Sequence, residues 1–561
     1  MTNVILEVAG LTKGYQLFDG SYTHALKNIN FKVYSGETLG IIGKSGAGKT
    51  TLLRILRCVD PFEDGRIIID GVEINPKSPK EVVREAKDKT AIHLQRSFGL
   101  WSETSLENVM RRVRSLDSGD ETAPLPEPDE TGYDEIKEAS LKLLDLVGIE
   151  HKADQSAHTL SGGEKQRLVL ARQLAIHPKV LLLDEPLTMA APENKKTVIE
   201  VIKRLREELK MTLVLVSHMP EMHRELSDRL LWLEDGEVVE TGAVEGIIDK
   251  FIAQTEDSSA PKPLEKKQPL FRLDNVSRTY YHYNLSKIFE IKDINLDIYE
   301  GEILGIVGPS GVGKTVLIRI LAGLETPNKG RVLYFSKDGK ATDLTNLGLA
   351  SALVRQKIGI MHQEFGLTHH AKIEDIIKSR SRFKSLSKEE LVKLTEELDL
   401  RESLLDFVLR LADVPQSARR DALEDLEISE EELTDIYTAL PKERLDIEEV
   451  QQILDLLGLF PEVINRKSYE LSGGEKIRAA LAVELATKPM LLILDEPFGD
   501  LDPVTSIRVS NLLKKVNSQY NTTFAIISHD RELLEKTAHR IVLIEDGEVK
   551  SSFEGARLHN I

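Results

Sequence analysis

Eight residues, Gly-Lys-Ser-Gly-Ala-Gly-Lys-Thr at 43–50, return as Gly-Pro-Ser-Gly-Val-Gly-Lys-Thr at 308–315. Three more strings repeat in the same order: Leu-Ser-Gly-Gly-Glu-Lys at 160–165 and 471–476, Leu-Asp-Glu-Pro at 183–186 and 494–497, and Ser-His at 217–218 and 528–529. A chain of 561 residues has room for two full hydrophobic cores, and ordered repetition makes those cores one unit written twice. The expected layout is a first domain over 1–254, a polar, Pro-rich linker over 255–269 and a second domain over 270–561.

The copies are not the same length. Lys49 and Lys314 are 265 residues apart and Gln95 and Gln363 are 268 apart, whereas Glu185 to Glu496 and His218 to His529 are both 311. About 43 extra residues therefore lie between Gln363 and Ser472. The stretch at about 385–450 is rich in Glu, Leu, Lys and Arg and reads as charged helices added to a helical subdomain. Residues 117–132 of the first copy read as a mobile acidic loop.

Apolar runs at 38–42 and 303–307 lead into the Gly-rich strings, and runs at 180–183 and 491–494 end at Asp-Glu. Such runs, alternating with helical segments, predict buried parallel strands in an α/β fold. Asp235-Gly236 and Asp546-Gly547 predict hairpin turns late in each copy.

A strand, Gly-x-x-x-x-Gly-Lys-Thr and a helix form a phosphate-binding loop, because glycine lets successive backbone N–H groups converge on an anion at a helix N-terminus. The candidate ATP-binding residues are Gly43, Ser45, Gly46, Gly48, Lys49, Thr50 and Thr51, and in the second copy Gly308, Ser310, Gly311, Gly313, Lys314 and Thr315. Lys49 and Lys314 reach the β- and γ-phosphates. Thr50 with Asp184 and Gln95, and Thr315 with Asp495 and Gln363, are the candidate Mg2+ ligands. Glu185 and Glu496 are placed to polarise the attacking water as general bases, and His218 and His529 to contact it or the γ-phosphate. Tyr15 and Tyr280, each 34 residues before its loop lysine, are candidates to stack on adenine.

With these motifs in order, the chain resembles the ATP-binding-cassette superfamily over nearly its whole length. Leu-Ser-Gly-Gly-Glu is the diagnostic string, and Ser161 with Glu164 and Ser472 with Glu475 have capping-box spacing. The resemblance implies two phosphate-loop domains, each with a RecA-like core, an antiparallel β subdomain and a helical subdomain. It also implies an intramolecular cassette dimer, in which Ser161, Gly162 and Gly163, or Ser472, Gly473 and Gly474, touch nucleotide bound by the opposite domain. Asp502 stands where the family has its D-loop aspartate, whereas the first copy has Ala191. Both glutamates survive, so two working but unequal sites are expected.

A net charge of −18 argues against broad nucleic-acid binding, which needs an excess of Lys and Arg. No apolar run is long enough to span a bilayer and the N-terminus has no secretory signal pattern, so a cytoplasmic location is expected. Cys58 is the only cysteine, so four-thiolate iron–sulfur ligation by this chain is excluded; Cys58 itself is expected in the core, on the helix after the loop.

Thr-Ala-Ile-His-Leu-Gln-Arg-Ser-Phe-Gly-Leu-Trp at 90–101 and Ile-Met-His-Gln-Glu-Phe-Gly-Leu at 360–367 resemble the ATP-dependent activation component of methyl-coenzyme M reductase. That resemblance implies ATP-driven reductive activation of a nickel enzyme, with the reductase and iron–sulfur electron-donor proteins as partners. The energising subunit of a membrane importer and a ribosome-associated tandem ATPase are the alternatives. Arg111, Arg112 and Arg114, and Lys378, Arg380, Arg382 and Lys384, are either solvated helix faces or paired docking surfaces for an acidic partner. His369-His370 reads as a surface pair.

Overall fold

The computed structural model describes residues 3–16, 22–93, 99–186, 195–255, 261, 264, 268–281, 287–309, 311–362, 366–397, 402–410, 413, 439–440, 446–499 and 501–554. The chain divides into two compact units, Met1–Thr255 with Asp502–Val504, and Glu256–Leu501 with Thr505–Ile561.

In the first unit, Thr38–Ile42, Val180–Asp184 and Thr212–Val216 are buried at every residue, as strands covered on both faces must be. They belong to a six-stranded sheet in the order Glu237–Gly242, Arg229–Glu234, Thr38–Ile42, Thr212–Val216, Val180–Asp184, Thr90–His93. All neighbours in it are parallel except the terminal hairpin. That hairpin turns at Asp235 and Gly236 with φ of 48° and 78°, the left-handed pair a two-residue turn needs. A separate antiparallel sheet is ordered Tyr22–Tyr34, Val4–Gln16, Asp64–Ile69, Val72–Ile74. The helices Ser105–Ser118, Tyr133–Leu146 and Gly162–Leu174 pack through Val109, Met110, Leu144 and Leu168.

The second unit repeats both sheets. Its larger sheet runs Ile358–Met361, Leu491–Asp495, Thr523–Ile527, Ile303–Val307, Arg540–Glu545, Glu548–Glu554. Its antiparallel sheet runs Lys287–Tyr299, Pro269–Tyr281, Lys329–Phe335, Ala341–Asp343. The strand Pro269–Tyr281 starts on the last residue of the expected linker.

The extra segment contributes the helices Lys388–Glu397 and Glu402–Arg410. Leu386, Leu391, Leu394, Leu405 and Leu409 form a small core of their own on Ala352 and Phe383. The helix Ile447–Leu456 sits at the 311-residue offset from Tyr133–Leu146, so it belongs to the repeated unit and the addition ends before it.

Several charged stretches turn inward. Glu121, from the loop expected to be mobile, pairs with Arg172 and with Arg112 (3.5 Å), and Arg111 forks onto Glu103 at 2.6 Å on both oxygens. Arg380 and Lys384 are buried against carboxylates, and Lys378 pairs with Glu374 at 2.7 Å on its own helix. A clustered docking face therefore does not form at Arg380 and Lys384. Their charge is already met inside the fold. Cys58 lies past the end of the helix Lys49–Leu56, half-buried in a left-handed turn (φ 56°), and burial pushes its thiol pKa up. His369 stacks on Tyr469 and His370 meets the same ring edge-on, and no metal-holding cluster of His, Cys, Asp and Glu occurs among the described residues. Among those residues no helix is long and apolar enough to cross a membrane.

Candidate active sites

Each Gly-rich loop joins a buried strand to a helix that starts on its lysine, Lys49–Leu56 in one unit and Lys314–Leu321 in the other. Gly48 and Gly313 cap those helices at φ 99° and 97°, backbone that side chains rarely adopt. A Cβ on Gly43 or Gly308 would run into the carbonyl of Leu233 or Ile544, so glycine is required there for the close approach. Gly46 and Gly311 face open space. Lys49 Nζ donates to the carbonyls of Gly43 and Lys44 at 2.7 and 2.8 Å, and Lys314 Nζ to those of Gly308 and Pro309, both at 2.8 Å. Burial pulls the Lys49 pKa down, against the carboxylates of Glu185 and Asp184.

Thr50 and Thr51 lie in the first turn of their helix, and Val316 occupies the position of Thr51 in the second. Asp184 and Asp495 end their strands, 3% and 7% exposed. Burial raises Asp184 to about 6, opposed by a hydrogen bond from Thr50. Burial also raises Asp495, opposed by His362, Thr315 and Lys314; Thr315 Oγ1 donates to Asp495 Oδ2 at 3.4 Å. Asp184 Oδ1 is buried with no hydrogen-bond partner among the described residues. A buried aspartate with an unsatisfied oxygen beside an exposed threonine hydroxyl, as at Asp184 and Thr50, suits a hard divalent cation such as Mg2+.

The next residue in each unit, Glu185 or Glu496, has φ of 51° or 53°, a left-handed conformation uncommon for glutamate. The twist sends its N–H to the end of the neighbouring strand, 3.0 Å from the carbonyl of Val216 or Ile527. It also brings the side chain to the histidine that follows that strand. His218 N donates to Glu185 Oε2 at 3.3 Å, with Nδ1 at 2.8 Å from the same oxygen. His529 N donates to Glu496 Oε2 at 3.1 Å, and Nε2 is 3.2 Å from Oε1. Burial pushes Glu496 up to about 7, against the His529 N–H. Both candidate bases thus share one backbone conformation and one histidine partner.

Ser161 and Ser472 cap the helices Gly162–Leu174 and Gly473–Leu485. Each accepts from the N–H of Glu164 or Glu475 while that glutamate accepts from the serine N–H, at 2.8 and 2.9 Å. Gly162, Gly163, Gly473 and Gly474 thus form first turns with free N–H groups. Tyr15 is 39% exposed beneath the Lys13 ammonium (4.7 Å), and Tyr280 lies beneath Arg278 (5.2 Å). Asp502 directly precedes the helix Pro503–Tyr520. Gln95, Gln363, Ser310 and Ala191 lie outside the described residues.

Sequence reasoning missed the left-handed glutamates, which leave no local signature. It also missed His223, fully buried and pushed down to about 4 by desolvation; its Nε2 donates to the Ser217 carbonyl at 2.9 Å, bracing the strand end before His218.

Comparison with known proteins shows the family of the chain. The ABC transporter family model matches residues 26–188 and 291–499. An uncharacterized ABC transporter ATP-binding protein of Methanocaldococcus jannaschii is 40% identical over 549 residues, 97% of this chain and 94% of that protein. A second such protein of the same organism is 32% identical, over 97% and 94%. The glutathione import ATP-binding protein of Escherichia coli O157:H7 is 24% identical, over 94% and 82%.

Proposed function

We propose, from the premise that the chain belongs to the ABC transporter family of ATP-hydrolysing cassettes, that it is a tandem motor whose hydrolysis changes the conformation of a partner protein. The paired Glu–His arrangement, present at both strand ends beside a phosphate loop, is the observation that carries this reading. Lys49 and Lys314 bind the phosphates, with their ammonium groups already oriented by loop carbonyls. Glu185 and Glu496 take the proton of the attacking water, and His218 and His529 fix the carboxylates that receive it. Such a base contributes about 10²–10⁴-fold. Thr50, Asp184 and Gln95, or Thr315, Asp495 and Gln363, would hold Mg2+, which would supply charge neutralisation at the phosphates. Tyr15 and Tyr280 offer rings for adenine. Ser161 and Ser472, with the glycines after them, offer capped helix starts for phosphate.

The partner we propose is methyl-coenzyme M reductase, with the chain powering reductive activation together with iron–sulfur electron donors. Support comes from the strings at 90–101 and 360–367, from the helical addition in one cassette, and from a single cysteine that leaves electron carriage to other proteins. The second reading, the energising subunit of an importer, is favoured by the glutathione import relative. Affinity purification of the tagged chain from native extract under ATP separates them. Recovery of a nickel enzyme with iron–sulfur proteins supports the first reading, and recovery of a permease replaces it with the second. Ribosomes would displace both.

A further inference from the structure

Among the described residues, the added segment of the second cassette reaches the candidate site at His362. The strand Ile358–Met361 delivers the chain to His362, which immediately precedes Gln363. His362 Nε2 donates to the main-chain carbonyl of Asp413 at 2.6 Å, and Asp413 belongs to the segment that the first cassette lacks. A carbonyl only accepts, so this bond fixes the ring tautomer and its orientation. The ring interacts electrostatically with Asp495 and opposes the rise that burial imposes on that carboxyl.

Asp413 is itself anchored on three sides. Its carboxylate takes Lys384 and Arg380, each at 2.6 Å. Lys384 Nζ also donates to the carbonyl of Ile358, at the start of the strand leading to His362, at 2.6 Å. Arg380 continues to Glu484 at 2.6 Å, near the end of the helix that Ser472 caps. The Lys384, Glu484, Asp413 and Arg380 side chains are only 3%, 7%, 11% and 12% exposed, so the cluster works in low dielectric, where its geometry is stiff. At the same offsets the first cassette has Leu94 for His362 and Gln173 for Glu484. The connection therefore belongs to one cassette.

We propose that His362, held by Asp413, is a positioning residue for hydrolysis in the second cassette: the added segment fixes the His362 ring beyond the end of the strand Ile358–Met361, where it acts on Asp495. This rests on the assignment of Asp495 and Gln363 to that cassette's nucleotide site.

The test uses full-length protein carrying Glu185→Gln, so that hydrolysis reports the second cassette. His362→Leu removes the donor and matches the first cassette's residue type, while His362→Gln keeps a donor. The expected result for His362→Leu is a kcat lowered on the order of tenfold, the scale for lost outer-sphere partners of a metal site, with a raised Mg2+ half-saturation. KM for ATP should move by less than about twofold, because the loop lysine and glycines hold the nucleotide. His362→Gln should recover most of the loss. Unchanged kcat and Mg2+ dependence in His362→Leu overturns the proposal, as does an equal loss in His362→Gln. Lys314→Ala in the same background is the control: hydrolysis surviving it refutes the site assignment, whereas its loss with a silent His362→Leu refutes only the positioning role.

Discussion

Asp406 offers the sharpest test of how the added segment is fastened. Its side chain, 1% exposed, accepts from Arg355 (5% exposed), from Arg410 Nη2 at 3.5 Å and from the Gly348 N–H at 3.1 Å. Arg410 also donates to the Gly323 carbonyl, just beyond the helix that begins at Lys314. Burial, and to a lesser degree Arg355, pulls the Arg410 guanidinium down to about 10, so it stays charged at neutral pH. Asp406→Ala leaves two buried cations with no counter-charge. Breaking a buried pair from one side costs about 3–5 kcal/mol. At about 2–4 °C per kcal/mol for a large domain, the second unit should melt roughly 6–20 °C lower. Calorimetry gives the midpoint, and amide hydrogen exchange shows whether Glu402–Arg410 detaches before the rest. Replacing Asp406, Arg355 and Arg410 together by Leu, Met and Met should cost far less, because no charge is then left unpaired. A shift under about 2 °C for Asp406→Ala, with protection unchanged across Glu402–Arg410, would refute the reasoning.

The remaining predictions concern the sites. Glu496 must be ionised to accept a proton, and burial places its pKa near 7. Hydrolysis by Glu185→Gln protein should therefore rise about tenfold between about pH 6 and pH 8, and a flat profile would exclude Glu496 as the base. Gly48→Ala forces a Cβ into backbone at φ +99°, 2.5 Å from the Ala25 carbonyl. Titration with a fluorescent nucleotide should then show one strong site where the parent shows two, and two intact sites would contradict the loop geometry. Ser472→Ala removes a helix cap and should cost about 1 kcal/mol, read from the denaturation midpoint; an unchanged midpoint means the cap contributes nothing to stability.

What could be read from the chain was what short spacing encodes. Four apolar residues leading into Asp184 read as a covered strand, Asp235-Gly236 can turn a hairpin, and Ser161 with Glu164 can close a capping box; the structure contains all three. Pairings between distant charges were not readable. Arg380 and Lys384 look like a solvated basic run until Asp413 and Glu484 arrive, and Glu484 is 104 residues beyond Arg380. Glu121 looked like part of a free acidic loop for the same reason, because Arg172 lies 51 residues on. The left-handed turn at Glu185 was hidden differently. Its stabilising bond, to the Val216 carbonyl, exists only after the two strands have paired.

The central claim is that each cassette hydrolyses ATP with its own glutamate, and that the two are unequal because only the second carries an aspartate, Asp502, where the first has Ala191. Single-turnover hydrolysis by Glu185→Gln, Glu496→Gln and the double variant tests it directly. Each single variant should keep part of the parent rate, the two residual rates should differ, and the double variant should fall by about 10²–10⁴-fold. Equal residual rates would contradict the asymmetry, and a double variant as fast as the parent would contradict the mechanism.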